Sequence, residues 1–251
     1  MRPRPTDREP FIHSIELARE RVPSFDRYPF SLPAVQGLTR LKLHPAVTFF
    51  IGENGAGKST LIEGIAVRLG FDEGGGEAGP GLNHRPPDGG LHDALRINSS
   101  RNRRAADRFF LRAETVFDLA SDLDRREKAD PSARDWYGEA SLHTRSHGEA
   151  FLAIVQNRMR SESIFLLDEP EAALSPTRQL TLLKEVDWLV RSGCQFLIAT
   201  HSPILMSYPD ALIYEMGEFG IRETTYKETE HYQITKSFLD RPESFLRHLI
   251  E

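Results

Sequence analysis

FIGENGAGKSTLIEGIAVRLG, residues 50–70, joins three kinds of sequence end to end. The residues leading into it, AVTFFIG at 46–52, form an unbroken apolar run, the pattern of a strand buried on both faces. From Lys58 to Leu69 the apolar residues recur at helical spacing. Between strand and helix, residues 52–59 read GENGAGKS and fit the pattern G-x-x-x-x-G-K-[ST].

Each part of that turn has a chemical reason. Glycines let the backbone bend so that successive N–H groups point at phosphate oxygens. The helix that follows adds the positive end of its dipole. Lys58 reaches the β- and γ-phosphates, and the Ser59 hydroxyl can hold Mg²⁺. Alone, eight residues of this kind can arise by chance; here they sit between a strand and a helix, the context the chemistry requires.

A phosphate cradle needs a metal holder and a group that activates water. SIFLLDEPEAAL, residues 163–174, supplies both: Ile164 to Leu167 read as a core strand that delivers Asp168 and Glu169 at its C-terminal edge. Ligands bind at that edge in open α/β sheets. Asp168 would coordinate Mg²⁺ and Glu169 would act as general base. The plainer reading is a strand ending in a solvated acidic turn. FLIATHSP, residues 196–203, repeats the geometry, with Thr200 and His201 after another apolar run. His201 is placed to reach the γ-phosphate and the attacking water; its plainer reading is a structural histidine.

Around these segments strands and helices alternate, the pattern of an α/β core with a mainly parallel sheet. Residues 11–17 and 38–43 alternate with period two and read as strands. Residues 108–113 read as a further strand, 114–128 and 148–159 as helices, 176–193 as a helix, and 211–216 with 220–226 as a closing hairpin before C-terminal helices. Residues 70–90 are rich in Gly and Pro without periodicity and read as a mobile loop.

Composition narrows the class. The chain has 251 residues, 39% of them hydrophobic, and a net charge of −5. That supports a full core and argues against a global bias toward nucleic acid. Cys194 is the only cysteine, so disulfide frameworks and cysteine zinc sites are excluded and a reducing, cytoplasmic compartment is expected. No apolar run approaches the roughly 18 residues of a membrane span, and the first residues lack a signal-peptide apolar region. Direct membrane insertion is therefore not expected.

The order GENGAGKS, FLLDEPEAALSP, ATHSP resembles the ATP-binding cassette (ABC) ATPases, over roughly residues 11–216. The resemblance implies an α/β P-loop NTPase fold: a mainly parallel core sheet, an N-terminal antiparallel β part and a small helical subdomain. It implies one domain over 1–251, with a nucleotide-binding core at 11–70 and 160–216. Residues 71–159 hold the loop and the helical subdomain, and 217–251 are a C-terminal extension. ATP and Mg²⁺ are the implied ligands. Gly52, Glu53, Asn54, Gly55, Ala56, Gly57, Lys58, Ser59 and Thr60 are the Walker A residues. Walker B ends at Asp168 and Glu169, residues 173–175 are the D-loop, and His201 is the switch histidine. Lys58, Glu169 and His201 are the implied catalytic set.

The family's LSGGQ signature has its counterpart in RSHGE, residues 145–149, where Ser146, Gly148 and Glu149 match or approximate the pattern. The S-x-x-E spacing also suits a helix-capping box. In the family this loop serves the ATP of a second protomer, so an ATP-dependent homodimer is implied. The Q-loop glutamine is missing; Glu114 is the candidate for its place at the metal, with Arg112 nearby. Phe25, Tyr28 and Phe30 are candidates for adenine stacking.

With no heptad run between Ser59 and Ser146, the chain looks most like compact stand-alone bacterial ATPases. These are similar to the heads of the recombination-mediator and overcoming-lysogenization-defect groups. Three roles stay open. One is an ATPase switch for DNA repair, defence or a partner effector. The others are the nucleotide-binding subunit of a membrane transporter and a non-hydrolysing ATP sensor, against which Glu169 argues. Arg96, Arg101, Arg103, Arg104 and Arg108 form a basic patch that could touch DNA or RNA, or pair with the acidic segment DLDRREKAD at 122–130.

Overall fold

The computed structural model describes residues 7–71, 76–77, 89–116 and 145–250. Its strands are β1 (Ile12–Leu17), β2 (Arg40–Lys42), β3 (Val47–Ile51), β4 (Gly76–Glu77), β5 (Leu95–Ser99), β6 (Asp107–Arg112), β7 (Ser163–Asp168), β8 (Gln195–Ala199), β9 (Leu212–Gly217) and β10 (Gly220–Thr224). Its helices are α1 (Pro33–Gln36), α2 (Lys58–Arg68), α3 (Leu91–Ala94), α4 (His147–Arg158), α5 (Pro176–Arg191), α6 (Glu230–Asp240) and α7 (Pro242–Ile250).

The main sheet runs β10-β9-β3-β8-β7-β6-β4. Pairing is parallel from β9 through β6 and antiparallel at the two edges. A second, antiparallel sheet runs β2-β1-β5. The expected α/β architecture with an N-terminal antiparallel part is present. The hairpin β9–β10 forms as expected, but β9 also joins the core beside β3.

The central strands are apolar throughout because both of their faces are covered. Along β7, Phe165 and Leu167 pack toward α4 and α5, while Ile164 and Leu166 pack toward α2 and the small sheet. Phe49 and Phe50 divide in the same way on β3. Each such side chain contributes about 1.5–3 kcal/mol by burial. The buried side chain of Gln195 ties the two sheets together. It donates to the carbonyls of Ile12 (2.9 Å) and His44 (3.0 Å) and accepts from Ile12 N at 2.9 Å.

Register places the functional ends together. Phe50 pairs with Ala199 across β3 and β8, and Asp168 pairs with Ala199 across β7 and β8. The three segments singled out in the sequence therefore leave the sheet at one edge.

β5 is a strand that the sequence hides. Its pattern LRINS has one fully buried position, Leu95, and its polar neighbours read as part of an arginine-rich loop. Most of the helix expected over 114–128, the acidic segment at 122–130 and nearly all of the Gly/Pro loop lie outside the described residues. Among those described, no helix is long and apolar enough to cross a membrane.

Candidate nucleotide site

The glycine-rich turn is held open by glycines that nothing else could replace. Gly52 has φ +144°, and a Cβ there would lie 2.2 Å from the Met216 carbonyl oxygen of β9. Gly57, with φ +96°, is the N-cap of α2 in the left-handed region. A side-chain-bearing residue would resist both conformations. The cap has no side-chain hydrogen bond, so the first N–H groups of α2 remain available to an anion.

Lys58 opens α2 and is 3% exposed. Its Nζ donates to the carbonyls of Gly52 (2.8 Å) and Glu53 (3.1 Å) and lies 3.8 Å from Glu169 Oε1. Burial pulls its pKa down, while Glu169, Glu171 and Asp168 hold it up. A cavity of about 190 Å³, lined by Tyr28, Asn54, Lys58, Ser59, Thr60 and Glu169 among others, opens at this point.

Ser59 Oγ donates to Asp168 Oδ1 at 3.0 Å. Asp168 is 4% exposed, and burial lifts its pKa to about 6, against the pull of Arg112 and the Ser59 hydrogen bond. Arg112 Nε stands 3.4 Å from Asp168 Oδ2, and its guanidinium also pairs with Glu63. A hydroxyl and a carboxylate are hard oxygen ligands suited to Mg²⁺. The buried carboxylate and the adjacent hydroxyl, set at the head of the phosphate loop, form a donor set that fits that cation.

Glu169 turns the chain sharply, with φ 48° and ψ 50°, and its N–H donates to the Ala199 carbonyl at 3.0 Å. This left-handed turn costs about 1–2 kcal/mol for a non-glycine residue, and it aims the carboxylate back over the loop. Glu169 Oε1 lies 3.5 Å from His201 Nε2. Glu171, which the sequence reading passed over, holds His201. Its Oε1 accepts the His201 backbone N–H at 2.6 Å and lies 3.7 Å from the ring Nε2. Lys58, Ser59, Asp168, Glu169 and His201, drawn from three separate segments, are thus brought together as expected.

The remaining expected residues are placed as follows. Glu53, Asn54, Gly55 and Ala56 form the loop itself and also line a second cavity of about 450 Å³. Tyr28, 70% exposed, meets Thr60 Oγ1 through its hydroxyl at 3.0 Å. Phe30 is buried in the core, and Phe25 packs at its edge beneath Arg19. Glu114 sits exposed in the turn after β6, and the side chain beside Asp168 is Arg112. Ser146 caps α4 in a capping box with Glu149, accepting the alternative the spacing offered. Arg178 of α5 donates to Ser146 Oγ (3.1 Å) and to Glu149 Oε1 (2.8 Å). A Cβ on Gly148 would lie 2.7 Å from the Ala173 carbonyl oxygen, so this turn packs directly on residues 173–175.

The arginines at 96–108 are largely committed within the chain. Arg96 pairs with Glu20, and Arg108 donates to the Leu69 carbonyl at 2.8 Å. Arg103 bonds Glu162 (2.8 Å) and the Gly193 carbonyl (2.6 Å) and covers the Phe11 ring. Arg101 and Arg104 are exposed.

Comparison with known proteins agrees with this geometry. Residues 149–207 match the family described as "AAA domain, putative AbiEii toxin, Type IV TA system". The ribose import ATP-binding protein RbsA from two strains of Bacillus cereus is 27% identical over 215 residues, 76% of this chain. The matched region is 42% of one relative and 43% of the other, so this chain spans less than half of their length. A solved structure titled as an inward-facing "putative metal-chelate type ABC transporter" superposes with a TM-score of 0.54 at 18% identity. That likeness covers 90% of this chain and 88% of the other. The chain has the fold of an ABC-type P-loop ATPase and resembles ABC ATP-binding proteins in sequence. In this ABC-type fold the phosphate loop, the acidic pair and His201 occupy the C-terminal edge of the sheet, where ligands bind in open α/β folds.

Proposed function

We propose that this chain binds ATP with Mg²⁺ at the loop 52–60, hydrolyses it, and closes into a dimer while ATP is bound. The observation that carries the reading is the joint placement of Lys58, Ser59, Asp168, Glu169 and His201 at one edge of the sheet, with Ser59 hydrogen-bonded to Asp168 and Glu169 3.8 Å from Lys58 and 3.5 Å from His201. Lys58 and the N–H groups at the start of α2 bind the β- and γ-phosphates. Ser59 and Asp168 would hold Mg²⁺, which would supply positive charge against the phosphates. Glu169 orients the attacking water and takes its proton as the water oxygen bonds to the γ-phosphorus. The bond from that phosphorus to the bridging oxygen breaks, and ADP and phosphate leave. His201 hydrogen-bonds at the γ-phosphate and is itself kept in place by Glu171. In the proposed homodimer, Ser146 and the start of α4 would face the nucleotide of the second copy.

The test is ATP turnover together with mass in solution, on wild type, Lys58→Ala and Glu169→Gln. Turnover by wild type alone, with a stable ATP-bound dimer of Glu169→Gln, supports the reading. Absence of turnover by wild type sinks it.

What the cycle drives has two readings. In the first, the dimer is a switch for a protein effector, in DNA repair or defence, within a cytoplasmic setting. The arginine segment supports a DNA partner only through Arg101 and Arg104, since its other members hold partners in their own chain. In the second, the chain is a nucleotide-binding subunit docked on a membrane transporter, which the names of the RbsA relatives favour. Capture on Glu169→Gln with ATP separates them: recovery of a membrane protein supports the second, and of a soluble effector or DNA the first.

A further inference from the structure

The C-terminal segment returns to the nucleotide site. After β10, Thr229 caps α6: its side chain accepts from Tyr232 N at 3.2 Å and donates to the Tyr226 carbonyl at 2.8 Å, and the residue is fully buried. No residue within α6 is buried, so the cap is what anchors this helix. Its first turn carries His231.

The His231 ring stacks on His201, with centroids 6.4 Å apart and planes at 26°. That lies within the range of aromatic pairs. His231 also lines the cavity of about 450 Å³ together with the phosphate loop. The His201 backbone and ring edge are held by Glu171 and Glu169; the His231 ring is the aromatic neighbour stacked beside it.

One atom is anomalous. His231 Nδ1 is buried without a hydrogen-bond partner, where buried polar atoms nearly always have one. Burial, with the nearby His201 and Lys58, also holds this imidazole below its ordinary pKa, against the pull of Glu53 and Glu215. A ring kept in place without using that nitrogen is kept for its face.

We propose that His231 is a positioning residue of the ATP site: its ring, delivered by the anchored first turn of α6, holds the His201 imidazole turned to Glu169, so that turnover depends on it and ATP capture does not. The proposal rests on the reading that the chain hydrolyses ATP.

The test compares wild type, His231→Ala and His231→Phe in four measurements. These are ATP turnover, binding of a fluorescent ATP analogue, thermal melting, and the ¹⁵N-edited NMR signals of the His201 ring. Misplacing a catalytic group by about 1 Å can cost about 10²-fold, and a smaller displacement correspondingly less. His231→Ala is therefore expected to lose about tenfold in kcat, with KM and analogue affinity within about twofold. Its His201 ring signals should shift. His231→Phe keeps the stacked face and removes the unpaired nitrogen. It should retain most of the turnover, restore the His201 signals toward wild type, and melt no lower than wild type. Wild-type turnover in His231→Ala, or unmoved His201 signals, would overturn the proposal. So would a His231→Phe as impaired as His231→Ala, since the nitrogen would then be what matters. A wild type that binds the analogue but turns over no ATP removes the hydrolytic reading as well, while the His201 signals still report on the stack.

Discussion

Ser59 Oγ donates a 3.0 Å hydrogen bond to Asp168 Oδ1, joining residues 109 positions apart in the chain. The bond exists because α2 begins at the edge where β7 ends, and the parallel register of β3, β8 and β7 aligns the two. It leaves a buried carboxylate with one hydroxyl donor and a guanidinium at 3.4 Å. The stability of the empty site and its affinity for a cation are therefore linked.

That linkage has a sign. Asp168 is raised from 3.8 to about 6 by burial, so the folded chain holds its proton more tightly than the unfolded chain does. Its contribution to stability is fully present below about pH 4 and is lost as pH rises through about 6. The full effect is about 3 kcal/mol at 1.36 kcal/mol per pH unit. Asp168→Asn keeps the shape without the charge. Without nucleotide or metal it should melt higher than wild type at pH 7.5 and approach it below about pH 4, while losing Mg²⁺-dependent turnover. Equal melting temperatures at both pH values would show that Asp168 carries no such strain.

Parts of this site were legible in the sequence because their physics is local. β3, β7 and β8 are buried on both faces, and so are written as unbroken apolar runs ending in GENGAGKS, DEPEAA and THS. Gly52 and Gly57 are needed by backbone conformation and carry their own signature. The parts that stayed hidden depend on tertiary placement. β5 is a small-sheet edge with one buried residue, so its LRINS shows no alternation to read. Arg112 and not Glu114 stands beside Asp168 because strand pairing sets Arg112 opposite Asp168, a register no spacing reveals. His231 reaches the site from a helix without a buried residue, through the cap at Thr229.

Lys58→Ala should abolish useful ATP binding. The ammonium is nearly inaccessible and rests on two loop carbonyls, and its hydrogen bonds to phosphate are charge-assisted. Each such bond contributes about 1.5–3 kcal/mol, so two of them amount to at least about hundredfold in affinity. Isothermal titration with ATP and Mg²⁺ checks this; an affinity within about tenfold of wild type would remove Lys58 from the phosphate-binding role.

Gly52→Ala should damage both fold and site. The added Cβ would sit 2.2 Å from the Met216 carbonyl oxygen, a backbone atom of the neighbouring strand that cannot move aside. With the strained φ, the expected cost is more than about 3 kcal/mol. Urea denaturation of the purified variant gives the value, and a midpoint unchanged from wild type would mean that the loop stands further from β9.

Glu169→Gln keeps the side-chain shape and the 48° backbone turn while removing the general base. ATP affinity should stay within about threefold, and turnover should fall by about 10²–10⁴. Single-turnover measurement with γ-labelled ATP separates the two effects. Ordinary turnover would reassign the base, with Glu171 the next carboxylate beside His201.

The turn at Ser146 separates cis from trans roles. Within one chain it is a helix cap, tied by Glu149 and Arg178. Across a dimer it would meet the partner's nucleotide. Ser146→Arg fills that meeting place with a long cation while leaving the phosphate loop untouched. Placed on the Glu169→Gln background, it should bind ATP as a monomer and fail to dimerise, as light scattering would show. Arg178→Ala is the control, since it loosens the same cap from the α5 side and adds no bulk. It should melt slightly lower yet still dimerise. If Ser146→Arg dimerises on ATP like its parent, the turn is only a cap. If both variants fail to dimerise, what the interface needs is a rigid cap, and the hydroxyl of Ser146 is secondary to its attachment.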